Sequence, residues 1–86
     1  MKKVIVITGA SSGLGKDFAL DLLKKGHTVY GLARRVEKMD DIVQVGGKAV
    51  AMDITDEGQI QNAVDQIMNE AGKIDVLINN AGYAIY

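Results

Sequence analysis

Four short apolar runs punctuate the chain, at residues 3–8, 28–33, 48–52 and 76–79. They are rich in β-branched side chains and lack strict alternation of polar and apolar positions, the pattern of strands covered on both faces. Between them the period changes. Leu14, Phe18 and Leu22 fall four apart, with Ala19 and Leu23 beside them, and predict one apolar helical face from about residue 13 to residue 25. Lys24, Lys25 and Gly26 close that segment with cations in the last turn and a glycine for a left-handed cap. Ile60, Val64, Ile67, Met68 and Ala71 trace a cleaner stripe, with Asp, Gln, Asn and Glu on the opposite side. Thr55 or Asp56 is placed to cap the start of this helix, and Gly72 to end it. Residues 36–44 are more weakly patterned; Val36, Met39 and Val43 predict a short helix that Gly46 and Gly47 cut off.

The resulting order is β-α-β-α-β-α-β. Such alternation predicts an α/β fold with parallel strands joined by right-handed helical crossovers. A length of 86 residues suits one small domain, and no repeat or linker interrupts it. The net charge of −1 offers no attraction for nucleic acid or an anionic membrane, so neither is expected as a partner. Without cysteine there are no disulfides or thiolate metal sites, which fits a reducing compartment. Two lysines precede an apolar run at residues 4–7, but it is shorter than the roughly 7 to 15 residues of an export signal. No stretch approaches the ~18 apolar residues of a membrane span, so a soluble cytoplasmic protein is expected.

The candidate chemistry begins at "TGASSGLGK", residues 8–16, which admits three readings. A triphosphatase loop needs a glycine five residues before Gly15 and a hydroxyl after Lys16; the chain has Ala10 and Asp17 there. Gly9-x-Ser11-x-Gly13 spells a nucleophile elbow, yet a serine nucleophile needs a histidine base. The single histidine, His27, lies beyond the far end of the helix that Ser11 opens. A helix of about a dozen residues puts it roughly 18 Å away. The third reading is a dinucleotide loop. Gly9 permits the turn, Gly13 lets phosphate approach the backbone, and Gly15 lets the helix pack closely. Ser11 and Ser12 add hydroxyl donors beside the free N–H groups of the helix N-terminus. A glycine-rich turn that merely joins strand to helix stays open on this loop alone.

Two further motifs narrow the choice. Asp53 and Ile54 follow the third strand, and "NNAG" at residues 79–82 follows the fourth. Together with the glycine loop, in this order, the chain resembles the short-chain dehydrogenase/reductase family from its first strand to its last residue. The resemblance implies a Rossmann-like parallel sheet of strand order 3-2-1-4 with helices on both faces. It also implies that Leu14 and the loop around it contact a nicotinamide dinucleotide. Asp53 would accept a hydrogen bond from the adenine amine and Ile54 would contact the cofactor through its backbone. Asn80, Ala81 and Gly82 would line the cofactor. For Asp53 a helix-capping role is the alternative, and Asn79 is expected to be structural.

About twenty residues beyond the glycines, a dinucleotide fold places an acid for the ribose 2′-hydroxyl or an arginine for a 2′-phosphate. Ala33 stands where an NAD(H)-preferring relative would carry its acid, and Arg34 and Arg35 follow. NADP(H) is therefore the expected cofactor, with Arg34 pairing the 2′-phosphate and Arg35 assisting. His27 is expected in a surface turn and Tyr30 in packing. Tyr83 and Tyr86 could edge a substrate cleft.

By the same resemblance the parent protein would interconvert a small carbonyl compound and an alcohol. The serine, tyrosine and lysine that do this in the family belong to later elements, so residues 1–86 alone are expected to be inactive. They are read as the amino-terminal part of a dinucleotide-binding domain, incomplete relative to the family. The alternative is a free-standing dinucleotide-binding or interaction module. An apolar run at the sheet edge, residues 74–82, invites association, and a homo-oligomer is expected.

Overall fold

Strand β1, Val4–Thr8, is buried at every position, which only a strand with neighbours on both edges and layers on both faces achieves. The computed structural model describes residues 2–11 and 13–80. After β1 come helix α1 (Gly13–Lys24), strand β2 (Thr28–Ala33), a 3-10 turn (Val36–Met39) leading directly into helix α2 (Asp40–Gln44), strand β3 (Lys48–Ala51), helix α3 (Glu57–Ala71) and strand β4 (Val76–Asn79). The strands form a parallel sheet in the order β3-β2-β1-β4. In register, Ile7 of β1 lies between Gly31 of β2 and Ile78 of β4.

The sheet divides the core in two. Val4 and Val6 join Tyr30, Leu32, Val50 and Met52 beneath Ala63 and Ile67 of α3. Ile5, Ile7 and Val29 face the other way, toward Ala19 of α1 and Met39 and Ile42 of the turn and α2. Chain geometry explains the division. The steps from β1 to β2 and from β2 to β3 move outward in one direction. The step from β3 to β4 returns past β1, and connections of constant hand then place α3 on the opposite face. Helices therefore cover both faces, and each strand is apolar on both.

Local signals act where the sequence puts them. Gly26 and Gly72 take left-handed backbone, φ 92° and 80°, at the ends of α1 and α3. Asp56 caps α3, its carboxylate accepting from the N–H groups of Gly58 and Gln59 at 2.9 and 3.2 Å. Thr55 has a different partner; its N–H and hydroxyl both donate to Asp53. The weak helix expected at 36–44 is a 3-10 turn followed by a single α-helical segment of five residues. The strand expected at 48–52 ends at Ala51, although the Met52 N–H still donates to the Ala33 carbonyl at 2.9 Å.

The apolar face expected on α1 is shifted. Gly15 and Ala19 face the sheet, with Leu20, Leu22 and Leu23 packed beside them. Leu14 and Phe18 are 61% and 42% exposed. Small residues let the helix axis approach the sheet, and the bulkier pair, one position around the helix, is left on the flank. At the other edge Leu77 of β4 is 63% exposed. Among the described residues no helix is long and apolar enough to cross a membrane.

Candidate functional site

The carboxyl ends of all four strands open onto one cavity of about 440 Å³, within the size range of small-molecule sites. Thr8, Gly9 and Ser11 line it after β1, and Leu32, Ala33 and Arg34 after β2. Met52, Asp53, Ile54 and Thr55 line it after β3, and Asn80 after β4. This is where open parallel sheets bind ligands: the connection leaving β1 runs over one face and the connection that returns to β4 runs over the other, which leaves a crevice at the ends of these two neighbouring strands.

The glycine loop is held from two directions. Gly9 turns with φ 67°, and its N–H donates to the Leu32 carbonyl at 2.8 Å. The Gly9 carbonyl accepts from the Asn80 side-chain amide at 3.3 Å. Asn80 is fixed in turn: its backbone N–H donates to the Thr8 hydroxyl at 3.0 Å, and that hydroxyl donates to Asn79 Oδ1 at 3.0 Å. A Cβ on Gly15 would strike the Gly9 carbonyl oxygen and lie 2.7 Å from Asn80 Nδ2. Gly15 therefore serves the contact between α1 and the loop, more than the contact of helix with strand that its spacing suggested.

Gly13, the first residue of α1, has φ 59° and open space where a side chain would project. No acidic residue occupies the first turn of α1, so nothing of opposite sign competes for its N–H groups and positive dipole end. The open space at Gly13 leaves room to approach the positive end of the α1 dipole.

On the opposite wall Asp53 accepts from the Thr55 N–H and hydroxyl at 2.9 and 2.7 Å. Its own N–H donates to Gln59 Oε1 at 2.9 Å. The Thr55 hydroxyl, then the Thr55 N–H, and lastly the Arg34 charge hold the Asp53 carboxyl below the usual aspartate range against a smaller opposing effect of burial. Asp53 thus stays an ionised acceptor at the cavity mouth, close enough to Arg34 to feel it. Capping of α3 falls to Asp56, so the alternative role for Asp53 reduces to ordering the turn at Thr55.

Of the residues singled out by sequence, Gly9, Ser11, Arg34, Asp53, Ile54 and Asn80 come together on the cavity. Gly13 and Gly15 shape the mouth of α1 beside it. Leu14 is exposed on the flank of α1, and Arg35 is extended at the start of the 3-10 turn; neither lines the cavity. Ser12, Ala81, Gly82, Tyr83 and Tyr86 lie outside the described residues. Ala33, read as the place of the missing acid, also lines the cavity, and Thr8, Leu32, Met52 and Thr55 line it without having been named as cofactor contacts. Their signal was position alone: each lies within a few residues of a strand's carboxyl end.

His27 is in the turn expected of it, at the amino end of β2, where Nδ1 accepts from the Lys3 N–H at 3.1 Å. Thr28 beside it pairs with Val4, at the end of the sheet away from Ser11, which leaves that serine without this base. Tyr30 is packed under α3, and its hydroxyl donates to Glu70 at 3.0 Å.

The family profile described as short chain dehydrogenase matches residues 3–86. A 3-ketodihydrosphingosine reductase of Bacteroides thetaiotaomicron is 45% identical over 83 residues, covering 96% of this chain and 29% of that protein. A serine 3-dehydrogenase of Agrobacterium fabrum is 39% identical over 88 residues, covering 99% of this chain and 35% of that protein. A solved short-chain dehydrogenase from Streptomyces avermitilis superposes with a TM-score of 0.91 at 40% identity, covering 95% of this chain and 31% of its own. A 3-ketoacyl-(acyl-carrier-protein) reductase from Brucella melitensis, solved with NADH, superposes with a TM-score of 0.82 at 35% identity, covering 87% and 32%. The chain belongs to the short-chain dehydrogenase family, a family of oxidoreductases. It spans about a third of the length of these relatives.

Proposed function

We propose that residues 1–86 are the amino-terminal, dinucleotide-binding part of a Rossmann domain in an NADP(H)-dependent oxidoreductase that interconverts a small carbonyl compound and its alcohol. The observation that carries this reading is the convergence of the glycine loop, Arg34 and Asp53 on one cavity at the strand carboxyl ends. The donor set suits the group. Backbone N–H groups of the loop beyond Gly9 and of the amino end of α1 offer an anion site for a pyrophosphate. Arg34 offers a planar fork for a 2′-phosphate, with Arg35 as a second cation nearby. Asp53, ionised and acceptor-only, suits an adenine amine, and the exposed side chain of Ile54 gives the base an apolar wall. Asn80 holds the loop, and Ala81 and Gly82 are proposed to continue the lining. When bound, the dinucleotide supplies or accepts hydride.

The acid–base groups of the reaction are proposed to lie outside residues 1–86, since the tyrosine nearest the site in the sheet, Tyr30, is buried beneath α3. We place the parent protein in the cytoplasm as a homo-oligomer. NAD(H) is the second reading, and the NADH in the Brucella melitensis structure favours it.

The test uses the protein expressed from its complete coding sequence, titrated with NADPH and NADH in parallel and then assayed for carbonyl-dependent oxidation of the bound cofactor. NADPH is expected to bind at least about tenfold more tightly, one charge-assisted hydrogen-bonded pair's worth. Equal affinities would remove the NADP(H) assignment. Failure of both dinucleotides to bind would remove the function. Turnover by residues 1–86 alone would overturn the placement of the acid–base groups.

A further inference from the structure

Beneath the glycine loop, β2 presents no side chain. Gly31 faces the α1 and α2 layer, and a Cβ built there would lie 3.0 Å from the Ala10 methyl, 2.9 Å from Met39 Sδ and 3.6 Å from Ile42 Cδ1. Carbon atoms in contact prefer about 3.5–4.0 Å. Ala10 and Met39 have therefore both descended into the space a side chain would fill, and both are fully buried.

The two neighbours differ in how they can yield. Met39 reaches the slot with the flexible end of its side chain. Ala10 has no rotamer to change, so its methyl moves only if the loop backbone moves. That backbone is the site: Gly9, just before Ala10, is tied to the Leu32 carbonyl, and Ser11, just after it, lines the cavity. The surroundings leave little room for a sideways escape. Ile42 is seated against Gly47, where an added Cβ would strike Ile42 Cγ2 and come within 2.9 Å of its carbonyl oxygen. Lys16 of α1 pairs with Asp41 of α2 at 3.4 Å, joining the helix that follows the loop to the helix that follows Met39.

We propose that Gly31 is a positioning residue for the dinucleotide loop: the absence of a side chain on β2 lets Ala10 seat the loop at the height at which its backbone donors serve the cofactor. This rests on the cofactor reading above and adds to it a residue that touches neither the cofactor nor the cavity. Gly31→Ala would lift Ala10 by a few tenths of an ångström and displace the backbone donors of Ala10 and Ser11 together. Both dinucleotides would weaken by the same factor, because the loop meets the pyrophosphate they share, while the ratio set by Arg34 would hold.

The experiment is a double-mutant cycle in the complete protein, reading Kd for NADPH and NADH and the thermal midpoint of each variant. Gly31→Ala is expected to raise both Kd values about tenfold, in keeping with the sensitivity of bound geometry to sub-ångström misplacement. Ala10→Gly alone is expected to raise them only slightly, and Gly31→Ala with Ala10→Gly to return them close to the Ala10→Gly values. Unchanged affinity in Gly31→Ala beside a parent that binds would overturn the proposal. So would rescue by Met39→Ala in place of Ala10→Gly, since the strain would then run into α2 and not into the loop. If Gly31→Ala alone fails to fold, the double variant must regain the folded state, and its failure to do so overturns the proposal as well. A parent that binds neither dinucleotide is a different outcome, which removes the cofactor reading itself.

Discussion

The side-chain amide of Asn80 donates to the carbonyl of Gly9 at 3.3 Å, so the end of β4 holds the first turn of the loop that follows β1. The same amide nitrogen closes the space above Gly15. Asn80→Ala should loosen the loop at the loss of a hydrogen bond worth about 1 kcal/mol. Dissociation constants for NADPH and NADH should rise about fivefold together. Titration calorimetry on the variant checks this, and a change in one cofactor alone would place Asn80 at the ribose instead.

Arg34 lies at the cavity mouth after β2, with no acid at Ala33 to prefer a 2′-hydroxyl. Arg34→Asp should weaken NADPH by about a hundredfold, removing a charge-assisted pair and adding repulsion, and should spare or favour NADH. The gap between the two cofactors in the parent should narrow as salt is added, as expected of an exposed ion pair. Unchanged preference for NADPH would move the 2′-phosphate away from Arg34.

Gly13 has φ 59° and faces open space. Gly13→Val places a β-branched residue where backbone of this kind is strained, and fills the approach to the helix N-terminus. Binding of both dinucleotides should be lost, while far-ultraviolet circular dichroism stays that of the parent. Tight binding by this variant would mean the pyrophosphate sits elsewhere.

The buried Tyr30 hydroxyl donates to Glu70, and burial first, then the hydrogen bond and charge of Glu70, push its pKa from 10.0 to about 12. A group whose folded pKa is raised adds stability that is complete below the unfolded value and is lost as pH rises through the folded one. Urea midpoints should therefore fall between pH 10 and about 12. Tyr30→Phe should remove that part of the slope and lower stability near neutrality by about 1 kcal/mol. A variant with the parent's alkaline profile would assign the loss to other groups.

Asp56 accepts from two N–H groups at the start of α3. Asp56→Ala should destabilise the fold by about 1 kcal/mol and Asp56→Asn by much less, with the denaturant slope unchanged. Because α3 covers the face formed by Val4, Val6, Tyr30 and Leu32, the loss should appear in global unfolding. Hydrogen exchange confined to residues 56–60 would instead show local fraying.

Much of the site was legible because its parts are local. The glycines of the loop, the arginine after β2 and the aspartate after β3 announce themselves by their distance from a strand end, and the strand order brings those ends together. The place of Leu14 on the buried face of α1 was misjudged because sequence spacing records which residues share a helix face, not which face meets the sheet. Thr8 was passed over within a quoted motif because its role depends on Asn79 and Asn80, 71 and 72 residues away.

Periodicity, capping residues and glycines at positive φ depend on a few neighbouring residues, so the sequence by itself determined the order of the elements, most of their ends and the parallel character of the sheet. The tertiary structure decided what depends on the approach of distant segments: Asn80 on Gly9, Tyr30 on Glu70, Ala10 and Met39 in the space above Gly31. Those contacts follow from which strands lie side by side and how closely the helices settle onto them, and close packing sets such distances only when both partners are in place.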